Sequence, residues 1–122
     1  MLIARRAKAP LRGLYSLPGG VVEIGETLQE AALRELQEEV GLRAEVLAFN
    51  DHVESVVRDE KGVRAHYVIA SFVGRWLDGE AQLSDETDSV LWVNPREPIQ
   101  AATTPGLAAI LASACKVMET LS

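Results

Sequence analysis

The stretch GVVEIGETLQEAALRELQEEVGL, residues 20–42, decides how the rest of the chain is read. Its centre predicts a helix over residues 27–40. Thr27 followed by Glu30 makes a capping box, and Gly41 is a C-terminal stop. At about 100° per residue, Glu35, Glu38 and Glu39 fall within an arc of about 100°. Leu33, Leu36 and Val40, with Ala32, point in a neighbouring direction and are expected to pack on a sheet. Arg34 stands four residues from both Glu30 and Glu38, so it can pair with either. An acidic helix face is commonly just solvated surface. Here the acids repel one another at i, i+3 and i+4, and they lie towards the helix C-terminus, where the macrodipole disfavours them. Cations must compensate, and hard divalent ions with oxygen ligands, Mg²⁺ above all, suit carboxylates. Gly19 and Gly20, just ahead, let backbone approach a metal or phosphate closely, although a plain turn reads equally well.

Outward from this segment, residues 1–5 read as a short strand. Residues 9–20 form a Pro- and Gly-containing loop in which 15–17 are extended. On the C-terminal side, 43–49 alternates as a strand, and 52–58 and 63–73 form a hairpin around Asp59-Glu60-Lys61-Gly62. Residues 76–88 read as an acidic loop and 90–93 as a short buried strand. Residues 104–121 read as a helix with Pro105 in its first turn and a stripe of Leu107, Ile110, Leu111, Ala114, Val117 and Met118. Strands dispersed between two helices predict an α+β fold, a mixed β-sheet sandwiched between α-helices, in a single domain over 1–122.

The chain of 122 residues is 48% apolar and 25% charged, as a folded domain requires. No apolar run reaches the roughly 18 residues of a membrane span. Arg5, Arg6 and Lys8 follow the first apolar residues, the reverse of a signal peptide's order. Cys115 is the only cysteine, so no internal disulfide forms, and a cytoplasmic setting is expected. The net charge of −6 repels nucleic acid polymers but admits a small phosphorylated ligand if metal ions intervene.

Residues 20–42 carry Gly20, Glu26, Arg34, Glu35, Leu36, Glu38, Glu39, Gly41 and Leu42 at the spacing of the Nudix box, without mismatch. Chance would produce that on the order of once in a billion starts at ordinary composition. The chain is therefore identified as resembling the MutT-like Nudix hydrolases, which implies Mg²⁺-dependent cleavage of a diphosphate linkage, with Mn²⁺ as a substitute ion. The resemblance implies Glu35, Glu38 and Glu39 as metal ligands, with the Gly19 carbonyl adding another and Glu26 supporting the site. It gives Arg34 the role of orienting the glutamates, and Glu38 and Glu39 a part in catalysis. It also calls for a further acid beyond the box; of Asp85, Glu86 and Asp88, Glu86 is chosen as ligand or general base.

The stretches Ala4-Arg5-Arg6-Ala7-Lys8 and residues 13–20, with His66-Tyr67-Val68, resemble the small bacterial ADP-ribose pyrophosphatase-type members. ADP-ribose or a related nucleoside diphosphate sugar is the first expectation. Residues 34–41 equally resemble the MutT-type nucleoside triphosphate pyrophosphohydrolases, and a nucleotide-sensing domain without catalysis is a third reading. Arg5, Arg6, Gly20 and Tyr15 are the candidate substrate contacts, with packing the loop the slightly favoured use for Tyr15. Trp76 and Trp92 read as core or sheet-edge aromatics, and His52 and His66 as structural. The resemblance implies a strand ahead of residues 1–5, which either lies in chain preceding Met1 or is missing; if it is missing, a sheet edge is bare and a homodimer is expected to cover it.

Overall fold

A computed structural model describes residues 1–9 and 11–121; Pro10, part of the expected loop, and Ser122 lie outside the described residues. The strand β1 (Leu2–Arg6) pairs antiparallel with the two-residue β2 (Tyr15–Ser16) on one side and with β5 (Thr87–Trp92) on the other. A parallel bridge extends this sheet: Tyr15 N–H donates to the Ala102 carbonyl and Thr104 N–H to the Tyr15 carbonyl, both at 2.9 Å. The sheet is therefore mixed. A second sheet is the antiparallel pair β3 (Arg43–Asp59) and β4 (Gly62–Asp78).

Alternation along β1 places the two helices. Leu2 and Ala4 face Val40 and Leu42 at the end of α1 (Leu28–Val40), with Leu36 and Val90 against them. Ile3 faces the other way, into a cluster with Tyr15 and the α2 (Leu107–Leu121) residues Leu107 and Leu111. A period of two thus gives one strand two apolar faces, each covered by a helix. Ile3 and Val40 are fully buried, one in each cluster. No helix among the described residues is long and apolar enough to cross a membrane.

Several boundaries differ from the sequence expectation. The strand expected to be buried at 90–93 is β5 at Thr87–Trp92, and its Leu91 and Trp92 are exposed. Residues 43–49 and 52–58 are one continuous strand, because Asn50-Asp51 forms a bulge instead of a break. The bulge turns the Asn50 amide inward, where Nδ2 donates to Ser71 Oγ and to the Ile110 carbonyl of α2, each at 3.1 Å. The acidic loop begins only after Asp78, since Trp76 pairs with Ala44 inside the ladder. Helix α2 starts at Leu107, not 104, because Gly106 has φ of 86° and cannot be a helical residue. The hairpin turn at 59–62 is as expected, with Lys61 N–H donating to Asp59 Oδ1 at 2.8 Å.

Trp76 and Trp92 are both more than half exposed and pair across β4 and β5, ring centroids 6.0 Å apart. They are sheet-edge aromatics. His66 meets Glu54 at 2.8 Å on the exposed hairpin.

Candidate active site

Local chemistry fixes α1 before any tertiary contact does. Thr27 Oγ1 accepts from Glu30 N–H and Glu30 Oε1 from Thr27 N–H, both at 3.1 Å, closing the capping box. Gly41 ends the helix in the left-handed region, φ 71°, with its N–H on the Gln37 carbonyl at 2.9 Å. Glu30 is occupied by this cap. Arg34 turns instead to Glu26 by a two-pronged contact, Nε to Oε2 at 2.7 Å and Nη2 to Oε1 at 3.0 Å. It also donates to Glu35 at 2.8 Å, to Glu38 at 3.1 Å and to the Val21 carbonyl at 2.9 Å. One guanidinium therefore ties the loop over residues 21–26 to the acidic face of α1. Its hydrogen bond holds the Glu26 carboxyl below the usual range, and Glu26 and Glu35 together raise Arg34 above its own.

One turn apart on α1, Glu35 and Glu39 converge with Glu86 from the loop before β5, and oxygens of all three lie within 4.8 Å of one another. Glu38, about 100° round the helix from Glu39, is largely exposed and rests on Arg34. It lines a second cleft with Glu39, Ser84, Asp85 and Glu86. Of the three loop acids, the structure brings Glu86 to the pair on α1. Asp88 binds Arg5 Nε at 2.6 Å instead.

The backbone ahead of the helix closes round the same carboxylates. Gly19 N–H donates to Glu39 Oε2 at 3.0 Å. A Cβ on Gly20 would lie 2.5–2.7 Å from the carboxylate of Glu35, so that carboxylate occupies the space a side chain would fill. Burial, followed by the charges of Glu35 and Glu86, pushes Glu39 up to about 7; the Gly19 hydrogen bond opposes this. Such a stack of acids is stable only if a proton or cation enters it. Three carboxylates within 4.8 Å of one another offer the hard oxygen donors that a divalent ion such as Mg²⁺ takes. Glu26, facing Arg34, would act on such an ion through that arginine.

Glu35, Glu39 and Glu86 line a cavity of about 360 Å³, whose lining also includes Arg5, Arg6, Lys8, Ser16, Leu17, Gly19, Gly20 and Thr87. Tyr15 is placed elsewhere: it is buried on the α2 side, its hydroxyl 2.8 Å from Ser89 Oγ and its ring 5.9 Å from the Arg5 guanidinium. Lys8, beyond the end of β1, was not anticipated as a cavity residue.

The sequence profile of the NUDIX domain matches residues 1–113. The chain belongs to the Nudix family. An ADP-ribose pyrophosphatase of Methanocaldococcus jannaschii is 36% identical to this Nudix domain over 86 residues, 70% of the chain and 49% of that protein. A CTP pyrophosphohydrolase of Escherichia coli is 31% identical over 108 residues, 86% of the chain and 73% of that protein. The crystal structure of a MutT Nudix hydrolase from Burkholderia pseudomallei superposes with a TM-score of 0.78 at 24% identity, over 92% of this chain and 85% of that one. That likeness bears out the Nudix fold. The chain spans about half the length of the archaeal relative.

Proposed function

We propose that this Nudix domain hydrolyses the diphosphate linkage of a small nucleoside diphosphate derivative, ADP-ribose or a related nucleoside diphosphate sugar, with Mg²⁺. The observation that carries the reading is the meeting of Glu35, Glu39 and Glu86 in one cavity whose lining also includes Arg6 and Lys8. A diphosphate suits a cavity lined by both signs of charge. Its charge is matched directly by the cationic side chains and, through a divalent ion, by the acidic ones. The first relative described above, named for ADP-ribose, supports this substrate class.

Glu35, Glu39 and Glu86 would hold Mg²⁺, with Mn²⁺ as a substitute, and Glu38 stands ready on the second cleft for a further ion. The bound ion would neutralise phosphate charge and lower the pKa of the attacking water. Arg34 fixes the carboxylates of Glu26, Glu35 and Glu38 in place. Arg6, with Lys8, would orient the phosphates, while the Arg5 guanidinium is engaged by Asp88 at 2.6 Å and lies over the Tyr15 ring. Glu86, carried on a loop and lining both clefts, would take the proton of the attacking water through whichever carboxylate oxygen does not hold the ion. The P–O bond to the bridging oxygen breaks opposite the incoming water, and two monophosphates result.

A second reading, pyrophosphate release from a nucleoside triphosphate, is favoured by the alignment with a CTP pyrophosphohydrolase over 86% of the chain. A panel of ADP-ribose, sugar nucleotides and nucleoside triphosphates with Mg²⁺ separates the readings. Two monophosphates from ADP-ribose as the best substrate support the first, and pyrophosphate from a triphosphate the second. Tight nucleotide binding without turnover of any compound would leave a sensor and overturn both.

A further inference from the structure

Glu86 reaches Glu39 from a separate loop, so something must set the distance between that loop and α1. The contact that does so lies at the helix C-terminus, one residue beyond Glu39. The Val40 carbonyl, one of those an α-helix leaves without an internal partner, accepts from Gln82 N–H at 2.9 Å. Just before Gln82, Gly79 sits directly on Gly41: a Cβ at Gly79 would lie 2.6 Å from the Gly41 carbonyl oxygen and 3.5 Å from Leu42 Cα. Both atoms are backbone, so no side-chain rotation relieves the clash. Trp76 Nε1–H, donating to the Gly79 carbonyl at 2.9 Å, holds the glycine from the other side.

From there the chain runs to Glu86 through a tight turn. Ser84 N–H donates to the Thr87 carbonyl at 3.0 Å, Glu86 N–H donates to Ser84 Oγ at 3.3 Å, and Ala7 N–H donates to the Glu86 carbonyl at 2.9 Å. Thr87 is buried at 3% exposure. The loop therefore has three anchors, on α1, on itself and beside β1, and little slack between Gly79 and Glu86.

We propose that Gly79 is a positioning residue for the active site: the absence of a side chain there lets the loop after β4 seat on the end of α1 and so places Glu86 against Glu39. The inference rests on the reading of Glu86 as a working carboxylate. An added methyl must retreat from 2.6 Å to ordinary contact near 3.4 Å, a displacement of about 0.8 Å applied to backbone. Misplacement of about 1 Å at a reacting group costs up to about 10²-fold in rate.

The test is a double-mutant cycle of Gly79→Ala and Glu86→Gln, read by steady-state kinetics with Mg²⁺ on the best substrate of the panel, and by Mn²⁺ affinity from electron paramagnetic resonance. Gly62→Ala is the comparator, since Gly62 has φ of 114° with nothing within 4 Å of its added Cβ and shares the backbone strain without the contact. Gly79→Ala is expected to lower kcat about 10- to 100-fold with KM within about threefold, and to weaken Mn²⁺ binding in step with Glu86→Gln. Within the Glu86→Gln background it should add less than about threefold, because both changes act through one carboxylate. Gly62→Ala should keep kcat. Effects that multiply in the double mutant, or equal losses for Gly79→Ala and Gly62→Ala, overturn the positioning role. Wild-type kinetics for Glu86→Gln overturn the reading of Glu86 and the positioning role with it. An impaired Glu86→Gln beside a fully active Gly79→Ala overturns the positioning role alone. If Gly79→Ala does not fold, Ser84→Ala, which frees the Glu86 amide without strain, enters the same cycle with the same criteria.

Discussion

Replacing Gly20 by alanine separates stability from function at a single methyl group. The added Cβ would stand 2.5 Å from Glu35 Cδ and 2.6–2.7 Å from its two oxygens. Ordinary contact begins near 3.4 Å, so the carboxylate must move by about 0.8 Å. That is enough to carry its 2.8 Å hydrogen bond from Arg34 out of reach and to take it from the group it forms with Glu39 and Glu86. The φ of Gly20 is not positive, so alanine brings no backbone strain there. It removes freedom from the unfolded chain, a gain of about 0.4–1 kcal/mol that offsets part of the weakening of the partly buried Arg34–Glu35 pair. We expect a melting temperature within about 5 °C of wild type. In contrast, kcat/KM with Mg²⁺ should fall about 10²-fold, equivalent to about 2.7 kcal/mol of barrier, and half-saturation should need more metal. Thermal melts and a Mg²⁺ titration of turnover measure both sides. A folded Gly20→Ala protein with wild-type turnover and metal dependence refutes the reasoning, because Glu35 would then have no required position.

Two further outcomes follow from the same site. Glu39 is raised from 4.5 to about 7 in the metal-free fold, so between those values the folded protein keeps a proton that the unfolded chain has released. Stability in EDTA should therefore fall as pH rises from about 4.5 to about 7 and level off above it; saturating Mg²⁺ or Glu39→Gln should flatten the decline, as melting temperatures across that range will show. Arg34→Lys keeps the charge but loses the planar fork that grips Glu26 and Glu35 together, and should lower kcat about tenfold or more while leaving KM near wild type in steady-state assays.

What the sequence disclosed was mostly local. The capping box, the Gly41 stop and the spacing of Glu35 and Glu39 are written within one helix, and the helix forms as its residues dictate. The layering was readable, since strands dispersed between two helices predict a sheet with helices on its faces; the order of strands around β1 was not. The Asn50 bulge was not: Asn-Asp looks like a turn, and only the tertiary contacts to Ser71 and Ile110 make it a kink in one long strand. Helical spacing grouped Glu38 with Glu35 and Glu39. Which of the three converge depends on where a loop forty residues later returns, and that is set by Gly79 on Gly41 and Gln82 on Val40. Tyr15 stood beside the glycines in sequence yet packs behind the sheet, since a strand sends neighbouring side chains to opposite faces.

The central claim is that Glu35, Glu39 and Glu86 form one cation site at which a diphosphate is split. Product analysis by ³¹P NMR of ADP-ribose incubated with wild type and with Glu39→Gln, each with and without Mg²⁺, tests it most directly. The account predicts two monophosphate signals from wild type only when Mg²⁺ is present, and loss of turnover by at least about 10³-fold in a folded Glu39→Gln protein. Metal-independent cleavage, or a Glu39→Gln protein that turns over like wild type, would contradict it.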